Sequence, residues 1–190
     1  MSDPQTVLNG ELVERNRSAR IEEMGPTGQI TLRGDLSNAA VKKAVKGAVG
    51  VDVPTPLTAT FNGAGGAVWM SQDEVLLLTE YDRIGAKITK LNKALDNHHV
   101  MVLDVSDARA VIRVTGAGAR ELMAKGAPLD VSDAAFPVGT ARRTHFAEIA
   151  VGIWRREEEV WEIVCFQSYA QHLFSWLKAS SVTGASVGYF

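Results

Sequence analysis

The chain has 190 residues, of which 46% are hydrophobic and 22% charged, and its formal net charge is −2. This is the composition of a globular protein with one good core or two small ones, and the low charge argues against nucleic acid or an anionic membrane as a partner. No apolar run reaches the roughly 18–20 residues that span a bilayer, and no signal-peptide pattern follows Met1. Cys165 is the single cysteine, so no internal disulfide can form. We therefore expect a cytoplasmic protein.

The first 17 residues are polar and charged and include Pro4 and Gly10. A segment of this kind cannot bury enough apolar surface to order itself. Residues 1–17 are therefore predicted to be an extended tail, either loose or laid along a partner.

Residues 18–99 hold two predicted β-hairpins. The first joins residues 20–23 to residues 29–33 across a turn that contains glycine and proline. The second joins residues 67–70 to residues 74–79.

One helix follows each of these hairpins. Ser37 or Asn38 is expected to cap the first helix, which ends at Gly50 and carries its apolar residues on one stripe. The second helix is predicted over residues 82–95, again with apolar residues at helical spacing.

Residues 100–179 repeat the same order of hairpin and helix. Strands over residues 100–105 and 109–115 form one predicted hairpin, and strands over residues 145–155 and 160–166 form another. The first of these strands is almost wholly apolar, which predicts a central strand buried on both faces.

The two halves match in pattern, though hardly in identity. Gly34 and Gly116 are 82 positions apart, and Trp69 and Trp154 are 85 positions apart. Repeats of solenoid proteins are shorter, roughly 20–50 residues. We therefore predict one duplicated α+β domain over residues 18–179, with pseudo-twofold hairpin and helix halves that pack through helices or face a shared pocket.

Two features predict a surface that binds another protein. Residues 180–190 form an apolar C-terminal tail, and such a tail suggests docking onto something. Trp161 lies between Val160 and Glu162, and the alternation predicts that it points outward as an interface anchor, whereas Trp69 and Trp154 are expected to anchor the core or a sheet face.

No residue is predicted to be catalytic or to bind a metal. Cys165 lies in an apolar strand, which favours a buried structural thiol over a reactive one. The four histidines lack the i, i+4 or Cys-x-x-Cys spacing of a zinc site; they are His98, His99, His145 and His172.

Two acids and two glycine segments are candidate sites. Asp104 and Glu148 are acids flanked by apolar residues and would supply a general acid or base in an enzyme, although Asp104 fits better as a cap on backbone donors near Ser106. Residues 63–66 favour a loop before a strand, and residues 116–118 favour a strand-to-helix turn, over a phosphate-binding loop.

One region resembles a known family. The run Leu-Asp-Val-Ser-Asp at residues 103–107, followed by Ala-Val-Ile-Arg-Val-Thr-Gly-Ala-Gly-Ala at 110–119, is similar to the folate-binding aminomethyltransferases typified by the glycine cleavage T-protein. The resemblance covers roughly residues 101–177 and implies a T-protein-like fold. Of the acidic stretch that contacts folate in that family, only Glu148 remains here, and the third T-protein domain is missing, so the resemblance implies a scaffold.

Length, tail and layout further resemble the gamma-subunit family of heterotetrameric sarcosine oxidases. That resemblance implies a non-catalytic structural or assembly subunit of a complex that oxidatively demethylates sarcosine to glycine, passes the one-carbon unit to tetrahydrofolate and makes hydrogen peroxide. The implied partners are the alpha, beta and delta subunits, which would carry FAD, FMN, NAD, zinc and tetrahydrofolate, with no cofactor in this chain. The alternatives are a stand-alone folate-binding aminomethyltransferase-like protein that uses Asp104 or Glu148, and a homodimeric binding module.

Overall fold

The computed structural model describes residues 5–15, 19–63 and 65–188. The strands are β1 Leu12–Arg15, β2 Ala19–Glu23, β3 Thr27–Arg33, β4 Ala59–Asn62, β5 Gly65–Ser71, β6 Glu74–Glu80, β7 Met101–Asp104, β8 Arg109–Thr115, β9 Ala141–Phe146, β10 Ile149–Glu157 and β11 Val160–Phe166. The α-helices are α1 Ala39–Val49, α2 Ile84–Ala94, α3 Ala119–Gly126 and α4 Ala170–Ser180. The predicted α+β class is confirmed.

The chain folds into two compact units. Residues 26–107 form the central unit, and the described residues on either side of them form the flanking unit. The predicted halves, residues 18–99 and 100–179, do not coincide with these units, because one strand of each half joins the other unit's sheet.

The central unit is a five-stranded antiparallel sheet in the order β4-β5-β6-β3-β7, with α1 and α2 packed on it. Helix α1 begins and ends as predicted. The side chain of Asn38 accepts a hydrogen bond from the Ala40 amide at 2.8 Å, and Gly50 adopts a left-handed φ of 78° while its amide donates to the Lys46 carbonyl. Each end of the helix is therefore capped by a residue adjacent to it in the sequence.

The flanking unit is a six-stranded antiparallel sheet in the order β1-β2-β8-β11-β10-β9, with α3 and α4 on its apolar core. Two predicted hairpins are confirmed. The strand over residues 160–166 is β11 and pairs with β10, and residues 67–79 form β5 paired with β6. Among the described residues, no helix is long and apolar enough to cross a membrane.

Two predicted hairpins are wrong. Strand β2 pairs with β1 and β8 instead of β3, and β3 pairs with β6 and β7. Strand β7 likewise pairs with β3 instead of β8. At both predicted hairpin turns the chain instead passes from one unit to the other. At the first, the Met24 amide donates to the Val111 carbonyl and prolongs the β2–β8 pairing. At the second, Ser106–Ala108 forms a 3-10 turn.

The prediction of a central buried strand at residues 101–105 is also wrong. Strand β7 is the edge of its sheet, and the side chains of Met101 and Leu103 are 43% and 50% exposed. An apolar run of this length is compatible with any strand position, because periodicity does not report which neighbours a strand has.

The strand predicted over residues 145–155 is broken in two. Ala147 and Glu148 have φ angles of 46° and 70°, and Ile149 pairs with Phe146 directly across them. Two residues with positive φ are the signature of a tight hairpin turn. His145 therefore belongs to β9, and the remainder of the segment to β10.

The N-terminal segment differs from the predicted tail. Residues 12–15 form β1 at the edge of the six-stranded sheet, and Leu8 and Val13 are buried in the core of the flanking unit. The carboxylate of Glu23 accepts hydrogen bonds from the Gly10 amide and the Thr6 hydroxyl. These few apolar and capped positions suffice to order the segment, while residues 1–4 and 16–18 lie outside the described ranges.

Trp161 does not point outward. Its side chain is 0% exposed and packs 4.9 Å, centroid to centroid, from the ring of Phe136. Trp154 is likewise buried, and Trp69 is half-buried. The outward prediction failed because the face that Trp161 shares with Ile163 is the face on which the helices pack.

Candidate functional site

Cys165 lies in β11 and is buried, as predicted. Burial raises the pKa of its thiol to about 12, because the apolar surroundings disfavour the thiolate. A nucleophilic or metal-binding cysteine needs the thiolate. The residue therefore has a packing role.

We expect Cys165 to resist alkylation in the folded protein. Since its pKa is raised, the thiol stays protonated at pH 8 and the reactive thiolate is scarce. Intact-mass analysis after iodoacetamide treatment should show no adduct on the native chain and one adduct after unfolding in urea. Rapid labelling of the native chain at pH 8 would contradict this account.

Asp104 has the local capping role that its sequence context predicts. Its Oδ1 accepts hydrogen bonds from the Ser106 amide at 3.0 Å and the Ser106 hydroxyl at 2.6 Å. The Ser106 Oγ in turn accepts from the Gln29 amide at 3.0 Å. The carboxylate thereby fixes the turn after β7 against the end of β3.

The other candidate chemical groups are dispersed. Glu148 lies exposed in the β9–β10 turn. Within the described part of the chain, no three His, Cys, Asp or Glu residues lie close enough together to hold a metal ion.

The glycines at residues 116–118 form a strand-to-helix turn between β8 and α3, as predicted. The Gly116 amide donates to the Glu159 carbonyl, and the Ala119 amide donates to the Gly116 carbonyl. Amides that would face an anion in a phosphate-binding loop are thus engaged within the protein. In the other segment, Gly65 and Gly66 begin β5, and position 64 lies outside the described ranges.

Glu162 carries a buried charge that the sequence analysis missed. Its side chain is 3% exposed, and its Oε1 accepts from Arg113 through both Nε, at 2.9 Å, and Nη2, at 2.5 Å. Its Oε2 accepts from the indole Nε1 of Trp154 at 2.5 Å and lies 3.6 Å from Arg156 Nη1. A single acid inside the apolar strand Val160–Phe166 was the signal available in the sequence.

A second buried charge, Arg155, holds the loop between α3 and β9. Its guanidinium donates to the Asp133 carboxylate at 2.6 Å, to the Phe136 carbonyl at 3.0 Å and to the Glu158 carbonyl at 2.7 Å. It also lies 5.4 Å from the centre of the Trp161 ring. All three guanidinium nitrogens bond within the protein, so this arginine positions backbone.

The segment after α4 is fixed to α3. Glu121 accepts hydrogen bonds from the Val187 amide at 2.5 Å and the Ser186 hydroxyl at 2.8 Å, and these bonds hold the pKa of Glu121 below its ordinary value. Lys125 donates to the carbonyl of Ala185 at 2.6 Å. Residues 189–190 of the predicted apolar tail lie outside the described ranges, and Val182 and Val187 are exposed.

Large apolar side chains remain exposed at several separate places. Phe166 is the last residue of β11, and Tyr169 lies in the 3-10 turn that follows it. Met101 and Leu103 lie on β7. Aromatic and methionine side chains are enriched where proteins bind one another. Each of these places offers the kind of apolar side chain that protein interfaces use.

Comparison with known proteins agrees with this description. Residues 33–183 match the model of the sarcosine oxidase, gamma subunit family. The chain is 30% identical over 167 residues to the sarcosine oxidase subunit gamma of Corynebacterium sp. (strain U-96), an alignment that covers 87% of this chain and 80% of the relative.

Two solved structures resemble the chain. One is the heterotetrameric sarcosine oxidase from Corynebacterium sp. U-96 in complex with pyrrole 2-carboxylate, with a TM-score of 0.80, 29% identity and coverage of 90% of this chain and 87% of that chain. The glycine cleavage system aminomethyltransferase T from Bartonella henselae has a TM-score of 0.63 at 15% identity, covering 84% of this chain and 45% of that chain, and confirms the predicted T-protein-like fold. The extent of the family match is decisive: this chain belongs to the sarcosine oxidase, gamma subunit family.

Proposed function

We propose that this chain is the gamma-type subunit of a heterotetrameric sarcosine oxidase and that its role there is structural. It assembles with alpha, beta and delta subunits in a complex that oxidatively demethylates sarcosine to glycine, transfers the one-carbon unit to tetrahydrofolate and produces hydrogen peroxide. The observation that carries the proposal is a likeness spanning nearly the whole chain, at a TM-score of 0.80, to a chain of a heterotetrameric sarcosine oxidase.

The non-catalytic role is supported by what the reactive side chains do. The Cys165 thiol is buried with a raised pKa, the Asp104 carboxylate accepts two bonds from Ser106, and Glu162 is matched by Arg113 and Trp154. A general acid or base needs a group that can reach a substrate and exchange a proton with it. Each of these groups instead stabilises a turn, a strand or the core.

The cofactors are proposed to lie in the other subunits. Two observations support this placement: the Asp104 carboxylate is engaged by Ser106 in a turn, and Glu148 lies in the tight turn between β9 and β10. We therefore place FAD, FMN, NAD, zinc and tetrahydrofolate in the alpha, beta and delta chains. A cytoplasmic location is proposed with them, and a lone buried thiol is compatible with a reducing compartment.

Affinity purification of this chain from its own host tests the proposal. We expect the tagged chain to bring down three further chains in equal amounts. The complex should show flavin absorbance, and this chain should show none once the subunits are separated by denaturation. Sarcosine-dependent peroxide formation should follow the complex. An untagged preparation serves as the control for non-specific capture.

Two results would contradict the proposal. The first is recovery of the chain alone or as a homodimer from cells that express all four subunits. The second is transfer of a one-carbon unit to tetrahydrofolate by the purified chain without companions, which would favour the aminomethyltransferase alternative.

A further inference from the structure

Strand β7 is one of the two edge strands of the central unit. Its four residues pair with β3 on one side, with Leu103 opposite Thr31 and Met101 opposite Arg33. Val102 packs against the core under the helices, so Met101 and Leu103 share the opposite face of the sheet. Both are large apolar side chains that are about half exposed.

The backbone of β7 has an open side. The Val105 amide donates to the Gln29 carbonyl, which places residue 105 in a hydrogen-bonded pair with β3. In an antiparallel ladder every second residue bonds to a given neighbour. Leu103 and Met101 therefore bond toward β3, and the N–H and C=O groups of Val102 and Asp104 point away from the sheet.

Strand β9, an edge of the six-stranded sheet, is protected against pairing in a way that β7 is not. It carries the sequence Ala-Arg-Arg-Thr-His-Phe, with three basic residues. Charged side chains on an edge strand discourage the addition of another chain. Strand β7 reads Met-Val-Leu-Asp, with its one charge at the end and engaged with Ser106.

We propose that β7 is an interface strand on which an extended segment of another oxidase subunit adds as a sixth strand of this sheet. The inference rests on the proposed function, since it takes the partner from the same complex. Main-chain hydrogen bonds to Val102 and Asp104 would give affinity, and apolar side chains set against Met101 and Leu103 would give specificity. The partner segment therefore has apolar residues at alternate positions.

The acidic residues at the C-terminal end of β7 orient the added strand. Asp104 and Asp107 are exposed at its C-terminal end, and His99 is exposed just before its N-terminal end. A segment that runs antiparallel to β7 begins beside the two aspartates. Its start therefore carries lysine or arginine.

Site-directed photocross-linking in the assembled complex tests the placement. A benzophenone amino acid at position 103, introduced into the co-expressed complex, is expected to join this chain to one of the other subunits, and tryptic mapping should find an alternating apolar segment. The same probe at Val138, which is 54% exposed in the flanking unit, is the matched control and should give no such product. A cross-link to a second copy of this chain, or none, overturns the inference.

Hydrogen exchange on the complex gives a second readout that needs no variant. All four amides of residues 101–104 should be protected, whereas an open edge would leave those of Val102 and Asp104 exchanging freely. The double substitution Met101→Lys with Leu103→Lys should also lower retention of this chain in the complex about tenfold or more, with Val138→Lys unchanged. If the complex forms with the two amides unprotected, this inference fails while the proposed function stands; if this chain joins no complex, the proposed function fails.

Discussion

Replacement of Glu162 by alanine is expected to lower the free energy of unfolding by about 3–5 kcal/mol, because removal of one partner leaves the others buried and unmatched. Arg113 loses a two-pronged hydrogen bond to the carboxylate, and the indole N–H of Trp154 loses its acceptor at 2.5 Å. The side chain of Arg113 is 25% exposed, so water can restore only part of its solvation. Urea unfolding of the purified full chain, followed by tryptophan fluorescence, measures the change.

Two variants separate the charge of Glu162 from its hydrogen bonds. Glu162→Gln keeps an oxygen that can accept from Trp154 but removes the charge facing Arg113, so its effect should be smaller than that of alanine. Asp73→Ala breaks the exposed pair with Arg33 and should leave the midpoint of unfolding unchanged. Equal effects of Glu162→Ala and Asp73→Ala would contradict the view that burial makes this network matter.

The local elements of the fold could be predicted from sequence because their determinants lie within a few residues. The cap at Asn38 and the end at Gly50 are satisfied by amides and carbonyls two and four positions away. The pairing of β2 and β7 could not be predicted in this way. Each pairs with a strand that is distant in the chain, and an apolar pattern is the same whichever neighbour a strand meets.

The candidate functional residues also differ in whether their roles depend on near or distant parts of the chain. The structural roles of Cys165 and Asp104 followed from their immediate neighbours in sequence. The network around Glu162 did not, since Arg113 lies 49 positions away and meets it only through the β8–β11 pairing. The exposure of β7 could not be predicted from the sequence either, because it depends on which strand lies at the edge of the sheet.

The substitution Gly126→Ala is expected to destabilise the protein, although alanine is normally the better helix former. A Cβ built at Gly126, the last residue of α3, would lie 2.6 Å from Cε2 of Phe146 and closer still to two other atoms of that ring. The Phe146 side chain is 0% exposed and packs edge-to-face on Trp176, so the ring has nowhere to move. Overpacking of this kind costs about 1–3 kcal/mol in the free energy of unfolding.

The same substitution at Gly85 is the matched control. Gly85 lies in α2 with nothing within 4 Å of an added Cβ, so Gly85→Ala should stabilise the protein by about 0.4–1 kcal/mol. Phe146→Leu completes a double-mutant cycle, since it removes the ring atoms that the new methyl group would strike. Gly126→Ala should then cost less in the Phe146→Leu background than in the natural chain, as urea unfolding can show. If Gly126→Ala lowers the free energy of unfolding equally in both backgrounds, the ring of Phe146 is not the obstacle. The destabilisation would then come from the end of the helix itself.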